Sequence, residues 1–591
     1  MKPLRLLPLP RRIQDAGEGA PADAAVSTQV DAALPPQGYE LVIGPDGVRI
    51  GHRDAAGLRY ARAALAQIRG QCSAALPGLR IRDWPDFPVR GYMLDVSRDR
   101  VPTHATLARL VDLLSLLRLN QLQLYSEHTF AYRDHEAVWR DASPLTADDV
   151  RRLDALCRER GIELVANQNC FGHMERWLRH PAYRDRAETP EGWESRRGGR
   201  RPPSVLAPTD DNARFALGLV RELMANFSSR RVNIGCDETF ELGRGRSREE
   251  VAVRGRERVY LDHVLRLLTG LRADGCEVQF WGDMLRGHPE LVAELPRDDT
   301  IALVWHYEAP LGVEAVASLP EAARETLAEF GLTPESLRGF AGHVPTFADA
   351  GLPFWVCPGT STWNALVGRL PNAKANLCDA AEVGLAHGAG GLLITDWGDN
   401  GHLQPPSVSF PPLAYGAAVG WCLESNRGLD LAGALDAFVF DDRAGELGGA
   451  LEALGALYAG TGLIAVNASP LQTELLTEGA LGCLGRADAG GVRATLEALD
   501  EAAARIGRSR PACADADCVR RELVQAIRLA RHGAWRIARA AGFACPSDAE
   551  LRRDLSEAIE GQRACWLERS RPGGLADSVA RLERTLAQYA A

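Results

Sequence analysis

Asp237 and Glu238 stand side by side in the segment VNIGCDETF, directly behind a short apolar run. Adjacent carboxylates at the end of a strand repel one another and lose water, which raises the pKa of at least one of them. A carboxylic acid kept protonated near neutral pH serves as a general acid. The same pair also suits the first turn of a helix, where acidic side chains meet the positive end of the dipole. Residue type and spacing leave both readings open.

The element that must position the pair comes next. From residue 87 to 428, short apolar runs alternate with amphipathic stretches. Strands are predicted at 89–95, 121–125, 162–166, 232–236, 278–281, 301–305, 354–357 and 391–395. The intervening ATLARLVDLLSLLRLN places Leu107, Leu110, Leu113, Leu114 and Leu117 on one helical face, and DDVRRLDALCRERG stops at Gly161. Continuous apolar strands covered on both faces, each followed by a helix or long loop, predict a (β/α)₈ barrel. In that architecture the chemistry lies at the C-terminal strand ends.

Read off in order, those ends carry Arg98, Glu127-His128, Asn167-Gln168-Asn169 with His173, Asp237-Glu238, Trp281 with Asp283, Trp305 with Tyr307, Trp363-Asn364, and Trp397 with Asp399. Trp, carboxylate, Asn and His dominate, and phosphate-cradling glycine loops are absent. Flat aromatic walls stack on the apolar faces of a pyranose while acids and amides take its hydroxyls. Trp281, Trp305, Trp363 and Trp397 are therefore predicted to line a pocket. Trp84, Trp139, Trp177, Trp193, Trp355, Trp421, Trp535 and Trp566 read as core. Asp283 either touches ligand or caps a helix, and His128 and His135 read as structural. Glu127, His128, His173 and Asp237 have the chemistry of metal ligands, but no tight His-x-His spacing joins them, so no metal and no cofactor is expected.

The flanks complete the plan for 591 residues, a length of about three to four domains. Residues 1–37, rich in Pro, Ala and Gly, read as an extended lead-in. Residues 38–86 read as a small α/β domain: YELVIGPDGVRI gives two strands around a turn, and AGLRYARAALAQIRG a helix. Residues 429–591 turn to Ala, Leu, Arg and Glu with helical periodicity and read as an α-helical domain. The net charge of −10 argues against nucleic acid as a partner. Pro3, Arg5, Pro8 and Pro10 break up the start, which reads as no secretory signal, and no run nears the roughly 18 apolar residues of a membrane span. Thirteen scattered cysteines fit a reducing compartment, so a cytoplasmic protein with no membrane partner is expected. A homo-oligomer is left open.

VNIGCDETF resembles the His-x-Gly-x-Asp-Glu signature of glycoside hydrolase family 20, the β-N-acetylhexosaminidases, with Asn233 in place of the His. Arg90-Gly91-Tyr92-Met93-Leu94-Asp95 resembles that family's first barrel strand, Gly172-His173 its third-strand loop, and TDWGDN its eighth. The resemblance spans roughly residues 38–425, and the helical tail lies outside it. It implies an exo-acting, retaining glycosidase that releases terminal β-linked N-acetylhexosamine from an oligosaccharide or glycoconjugate. In that family the substrate's own acetamide oxygen is the nucleophile, an exception to the two-carboxylate scheme. Carried over, Glu238 is the general acid and Asp237 steers the acetamide. Arg90 and Asp399 hold hydroxyls, His173 supports the catalytic cluster and Trp397 walls the sugar. Tyr307 is the candidate for the tyrosine that bonds the acetamide oxygen. The second strand departs from the family, with Ser126-Glu127-His128 where an Asp is usual. A metal-dependent barrel hydrolase and a non-catalytic sugar-binding relic of the fold are the alternatives.

Overall fold

The computed structural model describes residues 4–194, 199–311, 333–477 and 483–589. Strands β1 (Arg12–Pro21), β2 (Val26–Val30), β3 (Tyr39–Gly44), β4 (Gly47–His52) and β5 (Ala75–Asp83) form one sheet, ordered β1-β5-β3-β4-β2. Tyr39, Leu41 and Ile43 point from β3 onto Ala61, Ala64, Leu65 and Ile68 of helix α1 (Ala55–Gln71), giving the sheet its own small core. The lead-in expected over 1–37 is corrected here, because it contains β1 and β2. Their side chains are almost all exposed, so no apolar alternation marks them. Backbone pairing with β5 and β4 holds them instead.

The barrel begins with β6 (Val89–Asp95), β7 (Gln121–Tyr125) and β8 (Glu163–Asn167). A two-stranded hairpin, β9 (Trp193–Glu194) and β10 (Arg200–Arg201), follows. The barrel continues with β11 (Arg231–Asn233), β12 (Glu277–Trp281), β13 (Thr300–Trp305), β14 (Phe354–Cys357) and β15 (Gly391–Asp396), and closes where β15 pairs in parallel with β6. The fourth barrel strand, expected to reach 236, ends at Asn233. Gly235 (φ 66°) and Cys236 (φ 71°) adopt left-handed backbone, which cannot continue an extended ladder.

The barrel interior has two characters. Beneath the strand ends lies an amide cluster in which Gln123 Nε2 donates to Gln279 Oε1 (2.8 Å), and Asn167 and Asn233 both donate to Gln123 Oε1 (3.0 and 3.2 Å). Asn233, the departure from the family signature, is thus a member of a buried amide network in which, among the described residues, Asn167 Oδ1 and Gln279 Nε2 have no partner. The other half is apolar and aromatic, built from Met93, Tyr125, Trp281, Leu303, Trp355 and Leu393.

A buried polar joint fixes the small sheet to the barrel floor. Asp83 accepts from Tyr39 Oη (2.9 Å), Arg118 Nη1 (2.8 Å) and Trp421 Nε1 (3.0 Å). After β15, helices at Ala489–Arg508, Ala516–Ala540, Asp548–Arg569 and Leu575–Leu586 pack beside the barrel. Arg100 Nε donates to Ser570 Oγ (2.8 Å) and Thr103 N to Arg569 O (2.8 Å) across that contact. Among the described residues, no helix is long and apolar enough to cross a membrane.

Candidate active site

The left-handed turn that ends β11 aims the two acids. Gly235, Cys236 and Glu238 (φ 50°) all have positive φ, and Cys236 and Glu238 carry the steric cost of a side chain there. Asn169 overdetermines this conformation: its Oδ1 accepts from Cys236 N (3.1 Å) while its Nδ2 donates to Asp237 Oδ1 (2.7 Å). Gly172 closes on the same turn so tightly that a Cβ there would sit 2.2 Å from the Asp237 carbonyl oxygen. Asp283 Oδ2 accepts from Glu238 N (3.1 Å), so this residue anchors the turn.

His173 joins the pair. Its Nε2 lies 3.2 Å from Asp237 Oδ2 and 3.5 Å from Glu238 Oε2. Burial opposes charge on the imidazole, but Asp237 outweighs it and raises the His173 pKa to about 9. The two acids diverge. Burial pushes Asp237 up, but His173 and the Asn169 hydrogen bond hold it below the ordinary aspartate value. Glu238 is raised by burial and by repulsion from Asp237, against the pull of His173. The same turn thus shifts one carboxylate toward its ionised form and its neighbour toward its protonated form.

These acids open into a cavity of about 500 Å³ lined also by Arg98, Arg201, Trp305, Tyr307, Trp363, Trp397, Asp399, Asn400 and Asn467. The wall is a chain of ring contacts. Trp305 stacks on Tyr307 at 5.1 Å, and Trp363 meets Tyr307 edge-on at 5.0 Å. Trp397 Nε1 donates to Tyr307 Oη (2.8 Å). Arg98 is ion-paired with Asp399, lies 3.6 Å from Glu127 Oε1 and sits 5.0 Å over the Trp397 ring. A second cleft, of about 550 Å³, lies at the opposite end of the barrel, but there Arg231 and Glu277 neutralise one another in an ion pair. Among the described residues, no group of three or more His, Cys, Asp or Glu side chains is arranged to hold a metal ion.

The structure therefore brings Asp237, Glu238, His173, Trp305, Tyr307, Trp363, Trp397 and Asp399 to one place. Two expected members lie elsewhere. Trp281 is fully buried behind the wall, 6.1 Å from the Trp397 ring, because the last residue of β12 still points into the packed interior. Arg90 is fully buried at the floor of the barrel, near the start of β6. Its guanidinium donates to Phe87 O (2.7 Å), Arg118 O (3.1 Å) and Tyr60 Oη (2.9 Å) and lies 5.1 Å over Trp421. It serves the joint between domains and is far from any sugar pocket; Arg98, just past the C-terminal end of the same strand, is the guanidinium in the cavity. Sequence reasoning also missed Asn467 and Arg201 as lining residues, placed Asn400 at the eighth strand end without a role, and missed Asn169 as the anchor of the turn.

The fold is a closed eight-stranded parallel barrel with this cluster at its strand ends. The model "Glycosyl hydrolase family 20, catalytic domain" matches residues 87–319, and "Glycosyl hydrolase family 20, domain 2" matches residues 6–84, together more than half of the chain. The chain belongs to glycosyl hydrolase family 20. It is 23% identical over 234 residues to Hexosaminidase D of Bos taurus, covering 38% of this chain and 65% of that one. A solved β-N-acetylhexosaminidase structure aligns with a TM-score of 0.56 at 18% identity, over 73% of this chain and 94% of the other. The chitobiase of Flavobacterium johnsoniae aligns with a TM-score of 0.51 at 12% identity over 98% and 99%, so the likeness in fold extends to the helical region. The chain spans less than two thirds of the length of the curated relatives first matched.

Proposed function

We propose that this protein hydrolyses terminal β-linked N-acetylhexosamine from oligosaccharides or glycoconjugates, with retention of configuration and with the substrate's acetamide as nucleophile. The observation that carries this reading is the unequal pair on one turn, both within reach of His173: Asp237 is shifted toward its ionised form and Glu238 toward its protonated form. Neighbours on a single turn have no need to reach opposite faces of a sugar ring when the nucleophile comes from the substrate.

In the first step Glu238 gives its proton to the glycosidic oxygen and the bond from C1 to that oxygen breaks. The acetamide oxygen bonds to C1, forming an oxazolinium whose N–H and positive charge face Asp237. In the second step the Glu238 carboxylate takes a proton from water. That water's oxygen bonds to C1, the oxazolinium opens and the acetamide is restored. Arg98 and Asp399 at the mouth would take ring hydroxyls, and Trp305, Trp363 and Trp397 would enclose the pyranose. The names of its relatives, a hexosaminidase and a chitobiase, support this substrate class.

The test compares chromogenic β-N-acetylglucosaminide, β-N-acetylgalactosaminide and β-glucoside on the wild type and on Glu238→Gln. The acetamido substrates should turn over and the glucoside should not. Glu238→Gln should lose roughly 10²–10⁴-fold on a poor leaving group. Efficient cleavage of the glucoside overturns the mechanism.

A further inference from the structure

Asn467 comes from the chain beyond the barrel, between a short strand at Leu463–Ala465 and a helix at Pro470–Leu476, yet it lines the catalytic cavity. Its backbone conformation and two hydrogen bonds fix it there. Its backbone is left-handed (φ 51°), a conformation Asn tolerates better than most residues. Its N–H donates to Glu308 Oε1 (2.8 Å), and Glu308 is itself gripped by both terminal nitrogens of the buried Arg369 (3.0 Å each). Two residues on, Ser469 N donates to Asn364 O (2.8 Å), seating the segment on the loop that follows β14.

The side chain's orientation follows from chemistry. The indole Nε1 of Trp363 lies 3.1 Å from Asn467 Oδ1, and an indole N–H can only donate. The amide oxygen must therefore face Trp363, which turns Nδ2 away from it. Among the described residues, Nδ2 has no hydrogen-bond partner, and Asn467 is only half-buried on the cavity wall. A fixed donor without a protein partner, beside a tryptophan and a tyrosine, is the arrangement that selects one hydroxyl of a ring stacked on that wall.

We propose that Asn467 is a substrate-binding residue, its Nδ2 donating to one hydroxyl of the bound sugar, so that the helical region completes the pocket. The inference rests on the N-acetylhexosamine reading above and adds a specificity determinant to it. Binding of N-acetylglucosamine and of its 3-deoxy, 4-deoxy and 6-deoxy analogues should be followed by intrinsic tryptophan fluorescence, on the full-length wild type and on Asn467→Gly. Glycine keeps the left-handed backbone and removes only the side chain. The wild type should lose affinity for each analogue whose missing hydroxyl it contacts. For one analogue that penalty should vanish in Asn467→Gly, whose affinity for the parent sugar should fall roughly three- to tenfold. A merely structural role would weaken all four ligands alike, and unchanged penalties across the deoxy series overturn the assignment. A wild type that binds none of these sugars overturns the sugar reading and this assignment with it, whereas binding with unchanged penalties overturns this assignment alone.

Discussion

His173 Nε2 lies 3.2 Å from Asp237 Oδ2, and that one contact ties the charge of an imidazole to the charge of the acid beside Glu238. When it carries its proton, His173 draws down the pKa of both acids, against burial in each case. The sign of the outcome follows. On the proposed mechanism, the active form of the pair carries one proton, so the acid limb of kcat/KM reports gain of a second proton by the Asp237–Glu238 pair and the alkaline limb reports loss of its last one. Removing the cation in His173→Gln raises both pKa values, so both limbs should move to higher pH. A full pH–rate profile of the two proteins checks this, and limbs that stay in place would show that His173 carries no charge in the working enzyme. Because the acids interact, the limbs belong to the pair rather than to either residue.

Arg98 and Arg90 lie on either side of the same strand's length, and their substitutions should fail differently. Arg98→Ala removes the guanidinium that faces the cavity and is ion-paired with Asp399. It should lower kcat/KM by at least tenfold with little change in the unfolding midpoint. Arg90→Ala strands the Phe87 and Arg118 carbonyls and the Tyr60 hydroxyl in a buried joint. It should cost about 3 kcal/mol of stability, with kcat/KM largely retained in the fraction that folds. Steady-state kinetics beside denaturant unfolding separates the two; the opposite pattern would place the sugar contact at Arg90.

Gly172→Ala tests whether the catalytic turn tolerates displacement. The new methyl would start 2.2 Å from the Asp237 carbonyl oxygen, which is backbone and has nowhere cheap to go. The turn must shift, and a displacement of about 1 Å at reacting groups costs on the order of 10²-fold in rate. The expected result is a folded protein with a strongly reduced kcat, read by circular dichroism and turnover on one sample. Full activity would show that the turn is not held as tightly as its contacts require.

Much of the barrel was legible because its strands are continuous apolar runs between helices of clear periodicity. β1 and β2 were not, since exposed strands held by backbone pairing leave no hydrophobic trace. Within the site, strand position carried most of the information. Asp237, Glu238, Trp305, Trp363 and Trp397 all follow strands or end them. Arg90 shows the same rule from the other side: it stands near a strand's beginning, where position assigns a residue to stability, and the motif match led away from that. Trp281 shows the limit of counting to a strand end, because one residue decides whether a side chain enters the cavity or the packing below it. Asn467 left no sequence signal, since its place in the site depends on a tertiary contact made far downstream of the last barrel strand.

That β15 closes the barrel against β6, pairing Gly391 with Val89, has a consequence for how the protein comes into being. A ribosome releases Arg98 early, Glu238 midway, Asp399 late and Asn467 later still. Until the eighth strand has emerged, the first has no neighbour on one side, and contacts between such distant segments form slowly because a long loop must first be closed. A partly synthesised chain therefore holds both acids and has no enclosed chamber to use them in. The enclosed chamber arrives only when the two extremes of the barrel meet and the segment carrying Asn467 packs against its wall.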